Sequence, residues 1–406
     1  MRYSIVAVTL VLLQSNVAKA QVYVEGGNTR HRFAQTTVGI DLSHGPAGMT
    51  SANRTNLSPA PGSFSEARLL IGGTHFWGHA DFYLAIPLVR DKVSPFRTGV
   101  ETGAKYYPFR LRYKSIVPFA GIAFAANSYS LADGPEKKWF SSPVSAGLSY
   151  LSKAGLFEVY AAYDFQASPD YYISPTQTAS LRIPKARFGI SYKRVFDTTL
   201  SAEKDWKSGR TKLLTDTLAV MKRLDGITVG AGPSSSFFLT SPEADEGTPS
   251  LGSHRDAPLF ADLAVGYYLH QPDLQIQVAY RSMHSKTSAY GSSQQLKRTS
   301  LAIEGFKFLF DYHGFCFFAG PSISREWWVT DTNLSGRETE TVKTQKLQPG
   351  IVFGWDIRPN RLQSMYLRTH LRWYPGMNIR NHEGTIRADQ LEFNYIQLVI
   401  FPGRMF

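Results

Sequence analysis

The sequence contains almost no cysteine and, beyond its first twenty residues, no long apolar segment. Cys316 is the single cysteine among 406 residues, which excludes a disulfide bond within one chain and a metal site with several cysteine ligands. Because no later window of about twenty residues is predominantly apolar, no transmembrane helix is expected. The phosphate-loop pattern Gly-x-x-x-x-Gly-Lys and the zinc motif His-Glu-x-x-His are also missing. No cofactor and no metal are therefore expected.

The first twenty residues have the pattern of an export signal. Arg2 precedes an apolar run from Ile5 to Leu13, and the following stretch Val17-Ala18-Lys19-Ala20 has small residues at the positions that a signal peptidase requires. The apolar run is too short to span a bilayer. Residues 1–20 are therefore expected to be removed as a signal peptide, so that the mature chain begins at Gln21.

Positive charge exceeds negative charge along the chain. Lys and Arg number 44 against 32 Asp and Glu, a formal net charge of +12. A basic chain can attract nucleic acid, but these residues are scattered among strands and turns, and an exported chain seldom meets nucleic acid. No nucleic-acid partner is expected.

Apolar and polar residues alternate in short runs. Leu274, Ile276, Val278 and Tyr280 are separated by Gln275, Gln277 and Ala279, which gives a β-strand one apolar and one polar face. The pattern recurs over nearly the whole chain and predicts strands near 33–44, 66–76, 79–89, 97–108, 115–130, 143–152, 156–167, 183–198, 226–239, 258–270, 273–284, 295–310, 314–329, 343–357, 361–375 and 390–402.

The connections between these strands alternate in length. Odd-numbered connections are long and polar, such as 45–63, 132–142, 240–257 and 378–389, whereas even-numbered ones are tight. This parity is expected of a membrane barrel with short turns in the periplasm and longer loops outside. The exception is 200–225, where Leu214, Leu218 and Met221 suggest a short helix in a periplasmic linker, with a plug or partner-docking segment as the alternative.

The two sides of this linker resemble each other. Val117-Pro118-Phe119-Ala120-Gly121 corresponds to Phe317-Phe318-Ala319-Gly320, and further segments match in the same order. The sequence therefore predicts a first eight-strand repeat at 21–199, a linker at 200–225 and a second eight-strand repeat at 226–406.

The export signal, the alternating strands, the glycine- and aromatic-rich strand ends and the C-terminal Phe406 together resemble bacterial outer-membrane β-barrel proteins, particularly the barrel domains abundant in Bacteroidota. The resemblance covers nearly all of the mature chain. It implies an all-β, antiparallel transmembrane β-barrel in the outer membrane, with periplasmic termini, surrounded by outer-membrane lipid and assembled by the outer-membrane assembly machinery. The expected form is one closed barrel of about sixteen strands.

Charged and polar residues on the faces opposite to lipid are candidate pore-lining residues. Lipid would penalise an arginine at the bilayer midplane by about 2–4 kcal/mol, so the face that Arg368 and Arg372 share must point into the barrel. The same rule applied to other strands gives the set Glu101, Lys105, Glu158, Asp164, Arg187, Lys193, Gln275, Gln277, Arg281, Arg298, Glu304, Asp356, Arg358, Arg368, His370 and Arg372. These residues either line a hydrated pore that prefers anions or neutralise one another inside a narrow barrel.

Aromatic residues lie near many predicted strand ends, where interfacial girdles are expected; stacking on sugars is the alternative. They are Tyr106, Tyr107, Tyr163, Tyr192, Tyr267, Tyr268, Trp327, Trp328, Trp373 and Tyr374. His270, His313 and His370 have Ser or Asp neighbours in sequence, but no motif indicates a nucleophile with its base. The chain is therefore not expected to be an enzyme.

Two functions fit the pattern. A barrel of about sixteen strands is wide enough for an aqueous channel, whereas about eight strands leave room only for side chains. One barrel would thus act as a porin-like channel for passive diffusion of small hydrophilic solutes, with anions as the candidate preferred class. The alternative is a non-conducting structural or partner-binding barrel, plugged or made of two fused small barrels, that anchors envelope machinery. The pattern specifies no oligomeric state.

Overall fold

The computed structural model describes residues 32–46, 63–90, 95–131, 134–166, 170–181, 183–197, 210–238, 251, 259–334, 339–358, 362–381 and 384–405. The predicted signal peptide, residues 200–209 of the predicted linker and Phe406 lie outside the described residues. Within the described part of the chain, no helix is long and apolar enough to cross a membrane.

Antiparallel β-strands make up most of the described chain. The N-terminal half contains β1 (Ala34–Gly45), β2 (Phe64–His75), β3 (Ala80–Arg90), β4 (Phe96–Tyr106), β5 (Ile116–Tyr129), β6 (Lys137–Ser141), β7 (Val144–Leu151), β8 (Leu156–Tyr163), β9 (Asp170–Tyr172), β10 (Thr178–Ser180) and β11 (Ala186–Asp197). Helix α1 (Arg210–Val220) follows. The C-terminal half contains β12 (Gly226–Phe238), β13 (Phe260–Leu269), β14 (Leu274–Ala289), β15 (Ser292–Tyr312), β16 (Phe315–Asn333), β17 (Glu340–Ile357), β18 (Met365–Asn381) and β19 (Gly384–Ile400).

These strands close into two rings rather than one. In ring 1 the order is β1-β2-β3-β4-β5-β7-β8-β11, and β11 returns to pair with β1 from Gln35–Asp197 to His44–Phe188. In ring 2, β12 to β19 pair in sequence order, and β19 returns to pair with β12. The predicted all-β antiparallel plan with eight ring-forming strands in each half is confirmed, but the expectation that the halves close as one barrel is wrong. Each half satisfies the hydrogen bonds of its own edge strands, which leaves no edge for a shared ring.

Both rings have the same orientation. The end with the tight connections 76–79, 152–155, 270–273 and 313–314 is the turn end, and the opposite end is the loop end. The segments that correspond between the two halves occupy the fifth strand of each ring, β5 and β16. An origin of the rings by duplication remains a prediction.

Several predicted loops at the loop end continue as strands. The predicted loop 378–389 is a hairpin in which Asn381 pairs with Gly384, and 132–142 contains β6. β14 and β15 likewise extend to the two-residue turn Tyr290-Gly291, where both residues have positive φ, as a type I′ hairpin turn requires. The sequence prediction did not include these extensions. It relied on the alternation of apolar and polar residues, and both faces of the extended strands carry polar residues.

The wall of ring 2 divides near the loop end. β17 and β18 pair only from Ile357–Leu367 to Ile351–Trp373. Two residues further along this register, Pro349 would stand opposite Pro375. Since proline has no N–H to donate to a ladder, the pairing ends at this point, although β16 and β17 remain paired up to Thr332–Glu340.

The rings touch side by side through their outer faces. At the turn end, Phe33 packs edge-on against Trp77 and against Tyr312 of ring 2, with ring centroids 4.9 and 5.6 Å apart. At the loop end, Phe237 of β12 lies 5.4 Å from Phe124 and 4.9 Å from Phe140. Helix α1 leaves the side chains of its apolar residues largely exposed.

Independent closure of ring 2 predicts that residues 226–406 fold without ring 1. We expect this fragment to refold in detergent into a species whose gel mobility changes on heating, because every strand of ring 2 has both of its partners inside the fragment. A fragment of residues 226–383, which lacks β19, is the matched control and should remain unfolded. An unfolded 226–406 fragment, under conditions in which the full chain refolds, would contradict independent closure.

Candidate functional site: the two barrel interiors

The interiors of both rings are filled by side chains. Two inward tyrosines lie over glycines of the adjacent strand: Tyr160 over Gly189 and Tyr374 over Gly350. A Cβ atom on either glycine would lie 2.4–2.5 Å from the tyrosine ring, so no other residue fits beneath these rings. A cavity beside Arg68 in ring 1 measures about 20 Å³, which is room for one water molecule.

An ionic cluster around Arg68 occupies the middle of ring 1. Arg68 donates to Asp41 Oδ2 at 2.6 and 2.9 Å and to Glu101 Oε2 at 3.0 Å. Arg187 donates to the same Glu101 oxygen at 2.7 Å, and the Tyr160 hydroxyl donates to Asp41 Oδ1 at 2.9 Å. The cluster joins β1, β2, β4, β8 and β11 across the barrel.

A second cluster in ring 1 lies nearer the turn end and centres on Glu158. Its carboxylate accepts from Lys105 Nζ at 2.6 Å and from the Tyr107 hydroxyl at 2.7 Å. Lys193 Nζ lies 3.1 Å from Glu158 and also donates to Asp81. All of these charged groups are buried, so each lysine is neutralised by a carboxylate in contact.

Ring 2 contains a corresponding cluster around Arg372. This guanidinium donates to Asp262 Oδ2 at 2.5 Å and to both oxygens of Glu304 at 2.5 and 3.1 Å. Arg281 also reaches Glu304, at 3.2 Å. The bidentate geometry is the strong form of an Arg–carboxylate pair.

Two further arginine pairs extend this network along ring 2. Towards the loop end, Arg298 donates to both oxygens of Glu326 at 2.6 and 2.7 Å and also to Glu392. Towards the turn end, Arg368 donates to both oxygens of Asp356 at 2.7 and 2.9 Å. Arg358 shares that carboxylate at 2.8 Å.

Aromatic and aliphatic layers close both ends of each interior. In ring 1 the loop-end layer is Phe64, Phe96, Tyr129, Trp139, Tyr171, Leu181 and Ile183, and the turn-end layer is Tyr107, Leu111, Val117, Phe119, Leu151 and Leu156. In ring 2 the loop-end layer is Phe238, Phe260, Met283, Leu296, Trp328, Tyr374, Met377 and Ile379. The turn-end layer is Tyr268, Phe306, Phe308, Cys316, Phe318, Val352, Tyr366, Val399 and Phe401. The β9–β10 hairpin contributes Tyr171 to the loop-end layer of ring 1, and burial there raises the pKa of the Tyr171 hydroxyl. The ionic clusters are therefore enclosed between apolar layers.

The charges within each interior nearly balance. Among the described residues, ring 1 encloses Arg68, Lys105, Arg187 and Lys193 with Asp41, Glu66, Asp81, Glu101 and Glu158. Ring 2 encloses Arg281, Arg298, Arg358, Arg368 and Arg372 with Asp262, Glu304, Glu326, Asp356 and Glu392. The excess of basic residues in the sequence therefore does not accumulate inside the barrels, and no basic lumen results.

The structure places fifteen of the sixteen predicted pore-lining residues inside the rings. They are Glu101, Lys105, Glu158, Arg187 and Lys193 in ring 1, and Gln275, Gln277, Arg281, Arg298, Glu304, Asp356, Arg358, Arg368, His370 and Arg372 in ring 2. Asp164 instead follows the end of β8, where its carboxylate accepts from the Gln166 N–H at 3.0 Å. His370 is fully buried between Phe306 and Phe318, and its ring nitrogens have no hydrogen-bond partner among the described residues.

The sequence interpretation missed several acidic partners, including Asp41, Asp262 and Glu392. The signal was present: Asp41 alternates with the outward Ile40 and Leu42, and Glu392 lies between Leu391 and Phe393. Applying the two-residue period to every strand would have found them.

The aromatics predicted to form girdles are divided between the outer and inner faces of the strands. Of each adjacent aromatic pair at a strand end, one member points outward, such as Tyr267, and the other points inward, such as Tyr268. Tyr107, Tyr268, Trp328 and Tyr374 are buried in the layers that close the interiors. Successive side chains on a strand point to opposite faces, so a pair cannot serve one girdle.

No protein-family model and no curated protein matches the sequence. Among solved structures, the chain is similar to Neisserial surface protein A, with 14% identity over 44% of this chain and 97% of that chain and a TM-score of 0.30. It is also similar to Ail of Yersinia pestis, with 8% identity over 44% of this chain and 96% of that chain and a TM-score of 0.29. An outer-membrane channel from Pseudomonas putida F1 aligns with 9% identity over 95% of this chain and 99% of that chain, with a TM-score of 0.22. These values are low, so the function is inferred from the geometry of this chain.

Removing one partner of a buried pair should destabilise ring 2 strongly. Arg372→Met leaves Asp262 and Glu304 without their main counter-charge, and we expect the free energy of unfolding to fall by about 3–5 kcal/mol. Lys297→Met is the matched control, because Lys297 pairs with Asp331 at 3.6 Å on the exposed outer face and should contribute about 0–1 kcal/mol. Denaturant unfolding monitored by tryptophan fluorescence measures both, and equal effects would contradict the role of the enclosed cluster.

Proposed function

We propose that this chain is a non-conducting outer-membrane protein in which two fused eight-strand barrels form a rigid anchor. The anchor presents its loop end to a partner outside the cell and α1 to the periplasm. The observation that carries this proposal is the closure of both interiors by an apolar layer at each end, with balanced ionic clusters between the layers. Water and small solutes have no continuous polar path through such an interior.

The outer surface supports a location in a membrane. On β14 the outward side chains Ile276, Val278 and Tyr280 are each 45–49% exposed, and equivalent apolar residues surround both rings. A continuous exposed apolar band of this kind is unusual in a soluble protein. Lipid would cover it, while the closed ladders satisfy the backbone groups within hydrocarbon.

The loop end of ring 2 supports a role in contact with a partner. β15 has 21 residues and β16 has 19, whereas a spanning strand needs about 9–11. Beyond Tyr280 the outward residues of β14 become polar: Ser282, His284, Lys286 and Ser288. Ring 2 thus extends well past the apolar band as a rigid polar wall.

Other parts of the proposal rest on sequence pattern and on α1. The export signal and the Bacteroidota-type barrel resemblance favour the outer membrane of a Gram-negative bacterium, with termini in the periplasm. In α1, Leu213 and Val220 are 70% and 82% exposed, which favours a contact with envelope machinery at the turn end. No catalytic role is proposed.

Passive diffusion loses its main support because it depended on the width of a single sixteen-strand ring. Rings of eight strands leave space only for side chains. We therefore expect refolded mature protein to produce no ohmic conductance in a planar bilayer, even at high protein load. The control for insertion uses protein recovered from vesicles of the same lipid. Its gel mobility should change on heating, as expected of a folded, inserted barrel. Nanosiemens-scale conductance from inserted protein would refute the non-conducting proposal.

A further inference from the structure

A cavity of about 100 Å³ lies between the outer walls of the two rings. Ring 1 contributes Thr36, Gly73, His75 and Leu84, and ring 2 contributes Trp355 and Phe393. It lies between the aromatic contacts at the turn end and those at the loop end. The two barrels therefore enclose a cavity within their contact surface, and residues at its border, such as Phe82 and Trp355, still touch across it.

Small residues on the outer wall of ring 1 leave space on its side of the cavity. A Cβ atom on Gly73 would lie 2.7 Å from the backbone oxygen of Gln35, so no side chain can extend from this position. At the edge of the cavity, the Trp355 ring of ring 2 contacts Phe82 of ring 1 and Phe315 of its own ring, each at 5.8 Å between centroids. The gap is therefore a consequence of the fold and is not closed by a change of one rotamer.

A buried polar atom without a hydrogen-bond partner borders this cavity. His75 is only 6% exposed, and its Nδ1 atom has no hydrogen-bond partner among the described residues. Aromatic rings surround it, with Phe82 at 5.3 Å and Phe315 at 6.1 Å. A buried polar atom without a partner is unfavourable, so a ligand with a single polar group beside an apolar chain would fit.

We infer that the cavity binds the ester end of one acyl chain of a membrane phospholipid, with only the first few methylenes inside the cavity and the rest of the chain in the bilayer, and that the ester oxygen accepts a hydrogen bond from His75. The inference rests on the proposed membrane location, which places hydrocarbon next to the cavity. An empty gap forfeits dispersion contacts on both walls, and an apolar space of similar size, about 150 Å³, stays dry and takes up benzene. Hydrocarbon is therefore preferred to water as the occupant.

Photolabelling tests the site in the full mature chain. The protein is reconstituted in phosphatidylcholine vesicles containing a small fraction of phosphatidylethanolamine with a diazirine in its acyl chain. After irradiation, we expect peptides of β2 and β17 that line the cavity to carry more label than peptides of β14, whose outer face meets bulk lipid. Equal labelling of these peptides would overturn the inference.

Matched variants separate the cavity from the general lipid surface. Thr36→Phe fills the cavity and should lower labelling of its peptides about tenfold, which corresponds to 1.4 kcal/mol. Thr299→Phe makes the same change on the outer face of β15 and should leave the labelling pattern unaltered. His75→Phe keeps an aromatic ring but removes the donor, and should also reduce labelling. Unchanged cavity labelling in Thr36→Phe and His75→Phe would overturn the site.

The failure of this inference differs from the failure of the proposed membrane location. If the site is absent but the protein spans the membrane, label appears evenly around the apolar band. If the protein does not insert, no strand is labelled and the mobility of the protein does not change on heating. A free fatty acid that carries the same diazirine is tested in parallel. If the fatty acid labels the cavity peptides preferentially and the phospholipid does not, the phospholipid assignment is overturned.

Discussion

The return of the last strand of each half to its first strand sets the width of the molecule. A strand in hydrocarbon must have a hydrogen-bonded neighbour on both sides, and β11 supplies that neighbour to β1 as β19 does to β12. Once these ladders form, each ring contains eight strands and cannot admit a ninth. The interior is then too narrow for an aqueous channel, so every inward side chain must be satisfied by another side chain.

This confinement explains the pairing of the charges. A lone arginine inside such a ring would keep an uncompensated charge, and one carboxylate per arginine is the least that relieves it. Arg372 and Arg298 each bind more than one carboxylate, while Asp356 accepts from two arginines. Such shared networks link strands that are not neighbours in the sheet, so they brace the barrel across its lumen. The aromatic layers at both ends then exclude water from these pairs, which strengthens the electrostatic interactions between them.

The strands and the inward faces could be predicted from sequence, whereas the closure and the contents of the lumen could not. Alternation in segments such as Leu274–Tyr280 depends only on the local backbone, and it identified strand after strand. Alternation does not show whether β11 pairs with β1 or with β12, since both choices satisfy the same local pattern. The observed β11–β1 ladder joins residues more than a hundred positions apart, from Gln35–Asp197 to His44–Phe188. Likewise, Arg372 was assigned to the interior correctly, but its partner Asp262 lies 110 positions away along the chain and was not identified. The pair Tyr267-Tyr268 shows the same limit. Both residues were predicted to lie in an interfacial girdle, whereas Tyr268 packs in the layer that closes the lumen.

The contact between the rings follows a different physical rule from the interior of each ring. Inside a ring, empty space or an unpaired charge is costly, so the interior is tightly filled. Between two barrels in a bilayer, lipid tails are as apolar as the walls, so no hydrophobic force presses the walls together. The connection through 198–225 holds the rings close at high effective concentration, and aromatic contacts near Phe33 and Phe237 are sufficient to align them. Under these conditions the walls need not fit everywhere, so small residues such as Thr36 and Gly73 can lie in the same cavity as Trp355, and the proposed lipid occupant would complete the packing there.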